Sequence, residues 1–273
     1  MIDRARVAAL YRYPVKGFTP EPRGELTITA RGRAKGDRVW SLRFPHGTRP
    51  DSRDGRDYWP KGDGLCLRDF PSLARLRLEH SAEEIRLRGP GGEIGTYRVG
   101  EDLPAEKHRL EQDVTDFLLR SPEGRRLAGK LPLAFVGDGR EPRFQDRPRG
   151  FLAAHSRSSL AELSRVMGAP VDEQRFRSNI AIEGLPAWAE RDLVGRRVRI
   201  GEQEFDVHAP IVRCLAINAN PDTGERDLRV LQSLTRDLGQ AEPVFGVLLL
   251  PRTGTGYEEG EARIRVGEEF SVL

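Results

Sequence analysis

Cysteine is scarce in this sequence, and the spacings that mark a metal or disulfide framework are missing. The 273 residues include two cysteines, Cys66 and Cys214, which lie far apart in the chain. Two cysteines do not make the disulfide framework of a small secreted domain. The five histidines are scattered, and no Cys or His pair has the close spacing of a zinc site. We therefore expect reduced thiols, no structural zinc and a cytoplasmic protein.

Long apolar runs and a strong excess of one charge are also missing. No stretch approaches the roughly 18 uninterrupted apolar residues of a membrane helix, and residues 1–6 contain no apolar core of a signal peptide. Basic residues number 45 and acidic residues 42, which gives a net charge of only +3. Such a small imbalance does not indicate a basic arm for nucleic acid. We expect neither a membrane nor a nucleic acid as a partner.

The motifs of several common enzyme classes are absent as well. The sequence has no Gly-rich phosphate loop ending in Lys-Ser or Lys-Thr, and no Gly-x-Ser-x-Gly elbow. No dinucleotide-binding fingerprint follows a predicted strand. These absences argue against P-loop, serine-hydrolase and Rossmann chemistry.

What the sequence does contain is a series of short apolar runs, interrupted by glycine and proline, which is typical of β-barrels and sandwiches. Residues 110–119 carry the apolar spacing of an amphipathic helix. Residues 156–167 form the clearest helical pattern, with Ser156 as a possible cap and Gly168 at the end. The polar composition of residues 51–61 indicates a loop. At this length about two domains are expected.

The most reactive residue type in the chain stands at the end of a predicted strand. Cys214 follows Arg213 and two strand-like runs, residues 197–200 and 204–207. A free cysteine is most often a small buried hydrophobe. A neighbouring guanidinium, however, favours the thiolate, which attacks electrophiles and binds metals. The local sequence leaves both interpretations open.

Other basic and polar residues also stand at strand ends. Each of them alone is best explained as a solvated charge, but as a set they would suit a large anionic ligand, because guanidinium groups bind phosphate through paired hydrogen bonds. The set consists of Lys16, Arg38, Arg177, Asn179 and Arg213, together with Cys214.

The order of these motifs resembles the MOSC family, which is named for the C-terminal domain of molybdenum cofactor sulfurases. The motifs are, in chain order, Tyr13-Pro14-Val15-Lys16, Gly36-Asp37-Arg38-Val39-Trp40, Phe176-Arg177-Ser178-Asn179-Ile180 and Arg213-Cys214, followed by Asn220-Pro221-Asp222-Thr223-Gly224. Phe245-Gly246-Val247 and Arg265-Val266-Gly267-Glu268 resemble the closing signature of the family. The resemblance extends over nearly the whole chain.

The resemblance implies a mainly β (α+β) fold. A small N-terminal β-barrel-like domain, residues 1–110, would pack on a β-barrel-like MOSC domain, residues 111–273, that includes a few helices. It also implies that Cys214 is the thiolate ligand of the molybdenum in a molybdenum cofactor (molybdopterin). Six further residues would contact the cofactor or line its site: Lys16, Arg38, Ser156, Arg177, Asn179 and Arg213.

The implied activity is that of an oxidoreductase similar to the amidoxime-reducing members of the family, which would reduce N-hydroxylated small molecules. Nothing in these residues resembles an iron–sulfur domain, which needs about four cysteines. We therefore expect the electrons to come from a separate protein of the ferredoxin or flavin-reductase type. The alternatives are a non-catalytic carrier of the cofactor or of sulfur on Cys214, and an interaction module without cofactor.

Overall fold

A computed structural model describes residues 5–29, 31–53, 55–81, 83–99, 104–252 and 262–273, and these residues form mostly β-strands with four α-helices. The strands are β1 (Arg6–Arg12), β2 (Glu21–Arg23), β3 (Glu25–Ile28), β4 (Trp40–Arg43), β5 (Asp51–Arg53), β6 (Arg56–Tyr58), β7 (Arg77–His80), β8 (Glu84–Gly89), β9 (Gly92–Arg98), β10 (Ala134–Gly137), β11 (Leu152–Ser156), β12 (Ile180–Glu183), β13 (Arg197–Ile200), β14 (Gln203–Val212), β15 (Val244–Pro251), β16 (Ala262–Arg265) and β17 (Phe270–Val272). The helices are α1 (Pro104–Leu119), α2 (Arg157–Met167), α3 (Ala189–Asp192) and α4 (Val230–Arg236). The predicted mainly β (α+β) class is confirmed.

The largest sheet contains eight strands in the order β17-β13-β14-β15-β11-β12-β1-β2. Neighbours in it are antiparallel except β11 and β12, which run parallel. Strand β1 lies between β12 and β2, so an N-terminal strand is built into a sheet made mainly of later segments. Most of β15 is buried, which explains why it reads as a continuous apolar run instead of an alternating one.

Four smaller sheets complete the fold, and two of them join early strands to much later ones. Strand β10 pairs with β4, and β16 pairs with β3. Hairpin β5–β6 and the three-stranded sheet β7–β8–β9 are local. Ile264 on β16 and Leu26 on β3 are buried in the same apolar core as the large sheet.

Helix α1 begins at Pro104, earlier than its apolar stripe predicts. Its buried residues are Leu110, Val114 and Leu118, whereas its first turns are polar and carry no periodic signal. These three residues belong to a core that also includes residues of β4, β8 and β10. The predicted domain boundary between residues 110 and 111 falls inside α1 and stays a prediction.

Helix α2 ends where its sequence pattern predicts. The Ser156 hydroxyl accepts a hydrogen bond from the Ser158 backbone N–H at 3.2 Å and so caps the helix start. Gly168 ends the helix with a left-handed backbone, φ 64°, a conformation that glycine adopts without steric cost.

The prediction of a loop at residues 51–61 was wrong for most of that stretch, because β5 and β6 form a hairpin there. The Asp54-Gly55 pair at its turn is a strong hairpin signal, although Asp54 itself lies outside the described residues. The two strands are polar and almost entirely exposed. They therefore lack the apolar alternation by which a strand is usually recognised.

Of the helices in the described ranges, none has both the length and the apolar composition needed to cross a membrane.

Replacing Ile264 with alanine tests the pairing of β16 with β3. Ile264 is fully buried in the main core, so Ile264→Ala should lower the free energy of unfolding by about 2–5 kcal/mol. Val266→Ala is the matched control, because Val266 is 45% exposed and its loss should cost less than about 0.5 kcal/mol. Chemical denaturation monitored by tryptophan fluorescence measures both values. Equal effects of the two substitutions would contradict the burial of β16.

Candidate functional site

A cavity of about 880 Å³ opens where segments from both ends of the chain meet. Its wall includes Lys16 just after β1, hairpin β5–β6, residues 145–149 and the end of β14. This volume is within the range of small-molecule and cofactor sites, about 300–1,000 Å³. The cavity is therefore large enough for a ligand of cofactor size.

The cavity wall is strongly cationic. Ten basic side chains and one carboxylate, Asp146, line it. The positive potentials of neighbouring cations add together in a recess, so such a wall attracts anions. The ten residues are Lys16, Arg38, Arg53, Arg56, Lys61, Arg147, Arg149, Arg175, Arg177 and Arg213.

Six of the seven site residues expected from the sequence line this cavity: Lys16, Arg38, Arg177, Asn179, Arg213 and Cys214. Ser156 does not. It is fully buried, and its hydroxyl caps α2. The prediction of Ser156 as a helix cap is therefore confirmed, and its contact with the cofactor stays a prediction.

A buried carboxylate, Asp37, ties three of the wall segments together. Its Oδ1 accepts hydrogen bonds from the Tyr13 backbone N–H at 2.8 Å and from Asn179 Nδ2 at 3.3 Å, and its Oδ2 pairs with Arg38. The Asn179 side chain also accepts from the Ala153 N–H at 3.2 Å. Both ends of the Asn179 amide are thus engaged within the protein, so Asn179 holds strands in place.

Two of the arginines lie on the ring of Tyr13. The guanidinium carbons of Arg38 and Arg177 are 4.8 and 4.3 Å from the ring centroid, within the range of cation–π contacts. Both arginines have a positive φ, 53° and 51°, which is uncommon for a residue with a side chain. The Tyr13 hydroxyl donates to the carbonyl of Ser178 at 3.1 Å. The arrangement presents two guanidinium groups with a defined orientation.

These two arginines differ in what balances their charge. Burial lowers the pKa of Arg177 to about 10, and its Nη1 donates to the carbonyl oxygen of Phe18 at 2.7 Å. Burial also acts to lower the pKa of Arg38, but the adjacent Asp37 carboxylate outweighs it and raises that pKa. Both guanidinium groups stay charged at neutral pH.

Arg213 is held by backbone carbonyls and has no ion pair with a described carboxylate. Its Nε donates to Phe245 O at 2.8 Å and its Nη1 to Phe176 O at 2.6 Å. Its Nη2 is buried and has no hydrogen-bond partner among the described residues. Burial lowers the pKa of Arg213 to about 10, so it remains a cation at neutral pH.

Cys214 follows the end of β14 and is partly exposed, so it is not the buried hydrophobe that the local sequence had left open. The Lys61 ammonium lies 3.6 Å from its Sγ atom. Lys61 Nζ is also 2.9 Å from one oxygen of Asp146, and Lys16 Nζ is 2.8 Å from the other. Asp146 thus bridges two lysines, one of which contacts the cysteine sulfur.

The charges of this bridge support one another. Burial acts to lower the pKa of Lys61, but Asp146 and the Cys214 sulfur outweigh it and raise that pKa. Burial acts to raise the pKa of Asp146, but Lys16 and Lys61 outweigh it and hold that pKa well below its usual range. Burial lowers the pKa of Lys16, with Asp146 opposing this shift. A positive charge at Lys61 next to the sulfur is therefore stabilised.

The second cysteine, Cys66, lines the same cavity in a different environment. It is buried, and its thiol lies 3.3 Å from Asp69 Oδ2. Burial, and then the Asp69 carboxylate, raise the pKa of the Cys66 thiol, which favours the protonated form. Within one site, one cysteine is thus buried beside a carboxylate and the other is partly exposed beside an ammonium.

Sequence reasoning missed Lys61 and Asp146 as site residues. Both lie in polar segments without apolar periodicity, and they come together only through the tertiary fold. The dipeptide Asp54-Gly55 in the sequence indicates a hairpin at this point, and hairpin β5–β6 brings Arg53 and Arg56 to the cavity. No spacing in the sequence indicates which of the many arginines face it.

Among the described residues, no group of three or more His, Cys, Asp or Glu side chains is placed to hold a metal ion. This feature bears on the kind of metal complex that the site could accept.

Curated relatives of the chain are much longer than it is. The molybdenum cofactor sulfurase of Anopheles gambiae is 27% identical over 296 aligned positions, which cover 90% of this chain and 34% of that protein. The molybdenum cofactor sulfurase of Caenorhabditis elegans is 34% identical over 106 positions, covering 38% of this chain and 14% of that protein. The chain thus spans about a third or less of the length of these relatives.

Two solved structures are similar to the chain at low sequence identity. The YUAD protein from Bacillus subtilis aligns over 99% of this chain and 96% of its own, with a TM-score of 0.43 and 11% identity. YiiM from Geobacillus stearothermophilus aligns over 45% of this chain and 53% of its own, with a TM-score of 0.32 and 18% identity.

Two family models match the chain in succession. The MOSC N-terminal beta barrel domain matches residues 4–121, and the MOSC domain matches residues 143–271. Together they account for most of the sequence, and the MOSC match contains Arg177, Asn179, Arg213 and Cys214. The chain belongs to the MOSC family.

Proposed function

We propose that the cavity binds a molybdenum cofactor, with Cys214 as the protein ligand of the metal. The observation that carries this proposal is the position of a partly exposed cysteine on a cavity lined by ten basic side chains and one carboxylate. A thiolate is a suitable ligand for a soft metal centre. The basic wall suits the phosphate of a pterin cofactor.

The residues present fit such a group in two further respects. Among the described residues, Cys214 does not belong to a group of three or more His, Cys, Asp or Glu side chains that could hold a metal ion, so a metal bound there would have to bring further ligands with it, as a pterin dithiolene does. In addition, Arg213 Nη2 is a buried donor next to Cys214 in sequence and lacks a partner in the described part of the chain. Both features are consistent with a ligand that completes the site.

Each role in this proposal rests on a contact in the structure. Arg38 and Arg177, oriented on the Tyr13 ring, would bind the pterin and its phosphate together with Lys16. Lys61 keeps a positive charge 3.6 Å from Cys214 Sγ, where it would attract an anionic group bound at the sulfur. Asn179 acts by positioning, because both ends of its amide are already hydrogen-bonded.

We further propose that the chain is an oxidoreductase acting on N-hydroxylated small molecules. When bound, the cofactor would supply the two-electron chemistry that removes the hydroxyl oxygen as water. The electrons would come from a separate redox protein of the ferredoxin or flavin-reductase type. The role of this chain would be to hold the cofactor through Cys214 and the basic wall, and to admit the substrate at the open side of the cavity.

A second candidate function is a carrier of the cofactor, or of sulfur on Cys214, without catalysis. The names of the curated relatives favour it, since they are molybdenum cofactor sulfurases. In this case the same cavity would bind the cofactor, but no substrate would be reduced. The two functions therefore differ in turnover and share the binding site.

The first prediction concerns metal content, compared between the two cysteines of the cavity. Cys214→Ala should lose nearly all molybdenum, because the thiolate ligand is gone, whereas Cys66→Ala should retain it. Elemental analysis and pterin fluorescence measure both contents in protein purified from a host that makes the cofactor. Molybdenum in Cys214→Ala at the wild-type level would contradict the assignment of the ligand, provided that circular dichroism shows both variants folded.

Turnover distinguishes the enzyme from the carrier. Cofactor-loaded protein supplied with electrons from reduced methyl viologen should convert benzamidoxime, a simple N-hydroxylated amidine, to benzamidine, and Cys214→Ala should be at least about a hundredfold slower. Chromatography of benzamidine measures the product. Loaded protein that yields no benzamidine would favour the carrier.

The third prediction concerns the reactivity of the Cys214 thiol in cofactor-free protein. Lys61→Met removes the ammonium beside the sulfur, so alkylation of Cys214 by the anionic reagent iodoacetate should slow by about tenfold, because that charge no longer attracts the reagent to the sulfur. Lys130→Met is the control, because Lys130 lies against Phe44 and Phe70 and not at the cavity. Mass spectrometry of the two cysteine peptides gives both rates. An unchanged Cys214 rate in Lys61→Met would show that the Lys61 charge does not act at the sulfur.

A further inference from the structure

Hairpin β5–β6 places two arginines directly opposite each other on the cavity wall. Arg53 and Arg56 are cross-strand partners, and both line the cavity. Two like charges directly opposite in an antiparallel pair destabilise it. Arg53 is held in part by the ring of Tyr58, with 4.4 Å between its guanidinium carbon and the ring centroid. An unfavourable charge pair is thus maintained on the wall of the binding site.

The same chain contains a cross-strand arginine pair that is neutralised. Arg77 on β7 is opposite Arg88 on β8. Arg77 forms an ion pair with Asp222, and Arg88 lies 3.6 Å from Glu79. No described carboxylate forms an ion pair with Arg53 or Arg56. The pair outside the cavity has counter-ions within the protein, whereas the pair at the cavity has none among the described residues.

A second segment of the wall adds two more arginines without carboxylate partners among the described residues, Arg147 and Arg149. This segment has no regular secondary structure, but hydrogen bonds from Arg33 hold it in place. The Arg33 guanidinium donates to the carbonyl oxygens of Pro142 and, at 2.9 Å, Pro148. Burial lowers the pKa of Arg33, and the Arg56 charge adds to that effect. Arg33 thus holds the segment near the hairpin in spite of their common charge.

We propose that Arg53, Arg56, Arg147 and Arg149 form a second anion-binding subsite of the cavity, which takes a phosphate group. It rests on the proposed function only in that the cofactor's own phosphate is assigned to Lys16, Arg38 and Arg177, which leaves these four arginines without a ligand. Guanidinium groups bind phosphate through paired, charge-assisted hydrogen bonds. A phosphate among them would replace the missing counter-ions.

Such a phosphate could have one of two sources. It could belong to a nucleotide attached to the cofactor, or to a substrate that itself carries a phosphate group. A cavity of about 880 Å³ has room for a ligand larger than a single small anion. The chemistry recognised is the same in both cases, and the experiment below separates them.

The test combines ligand analysis with titration of inorganic pyrophosphate into cofactor-loaded protein at low ionic strength. The variant is Arg53→Gln/Arg56→Gln, and the matched control is Arg77→Gln/Arg88→Gln, the cross-strand pair outside the cavity. If the phosphate belongs to a substrate, wild type releases no nucleotide on denaturation and binds pyrophosphate at least about tenfold more tightly than the Arg53/Arg56 variant. The control should differ from wild type by less than about twofold.

If the phosphate belongs to the cofactor, wild type releases nucleotide in equal amount to pterin, and the Arg53/Arg56 variant retains at least about tenfold less of both. The proposal is overturned if wild type releases no nucleotide and binds pyrophosphate no more tightly than that variant. Should the protein carry no cofactor at all, the same titration of the cofactor-free chain still tests the subsite. Loss of the proposed function is thereby distinguished from loss of the subsite. Thermal unfolding verifies that both double variants are folded.

Discussion

The buried carboxylate of Asp37 is the interaction on which the geometry of the cavity depends. A carboxylate without water has to find hydrogen-bond donors inside the protein, and Asp37 finds them in Tyr13, Arg38 and Asn179. Tyr13 and Asn179 come from distant parts of the chain. The Tyr13 ring in this network lies against the guanidinium groups of Arg38 and Arg177. One buried charge thereby orients two of the cations that face the ligand.

Three of the cavity cations are held by groups that do not cancel their charge. Arg177 and Arg213 donate to backbone carbonyls, and Arg53 lies on an aromatic ring. Carbonyl dipoles and ring faces fix a guanidinium in position but leave its unit charge in place. Concentrating such charges costs folding free energy, and natural proteins accept such local costs at functional sites. The excess positive charge of the cavity is therefore best explained by the anionic ligand that we propose for it.

Sequence patterns predicted those parts of the fold and site whose signals are local. The apolar stripe, serine cap and terminal glycine located α2, and Cys214 with its neighbouring cations could be selected because they follow predicted strands. The structure places Ser156 as the cap of α2 and away from the residues that line the cavity, and its contact with a cofactor stays a prediction. Lys61 and Asp146 could not be found, because their meeting beside Cys214 depends on how distant polar segments pack. The prediction missed hairpin β5–β6 because the side chains of its strands are almost entirely exposed, although an Asp-Gly dipeptide in the sequence favours a hairpin.

The pairing of β1 with β12 and of β3 with β16 has a consequence for biosynthesis. During translation β1 and β3 leave the ribosome long before β12 and β16 exist, so these two ladders cannot form until residues 180–183 and 262–265 have been made. Sheets that join such distant segments form slowly, because a long loop has to close first. Lys16 and Cys214 can therefore line one cavity only after the later strands of the large sheet have been made, so a ligand that needs both residues has no complete site on the early part of the chain.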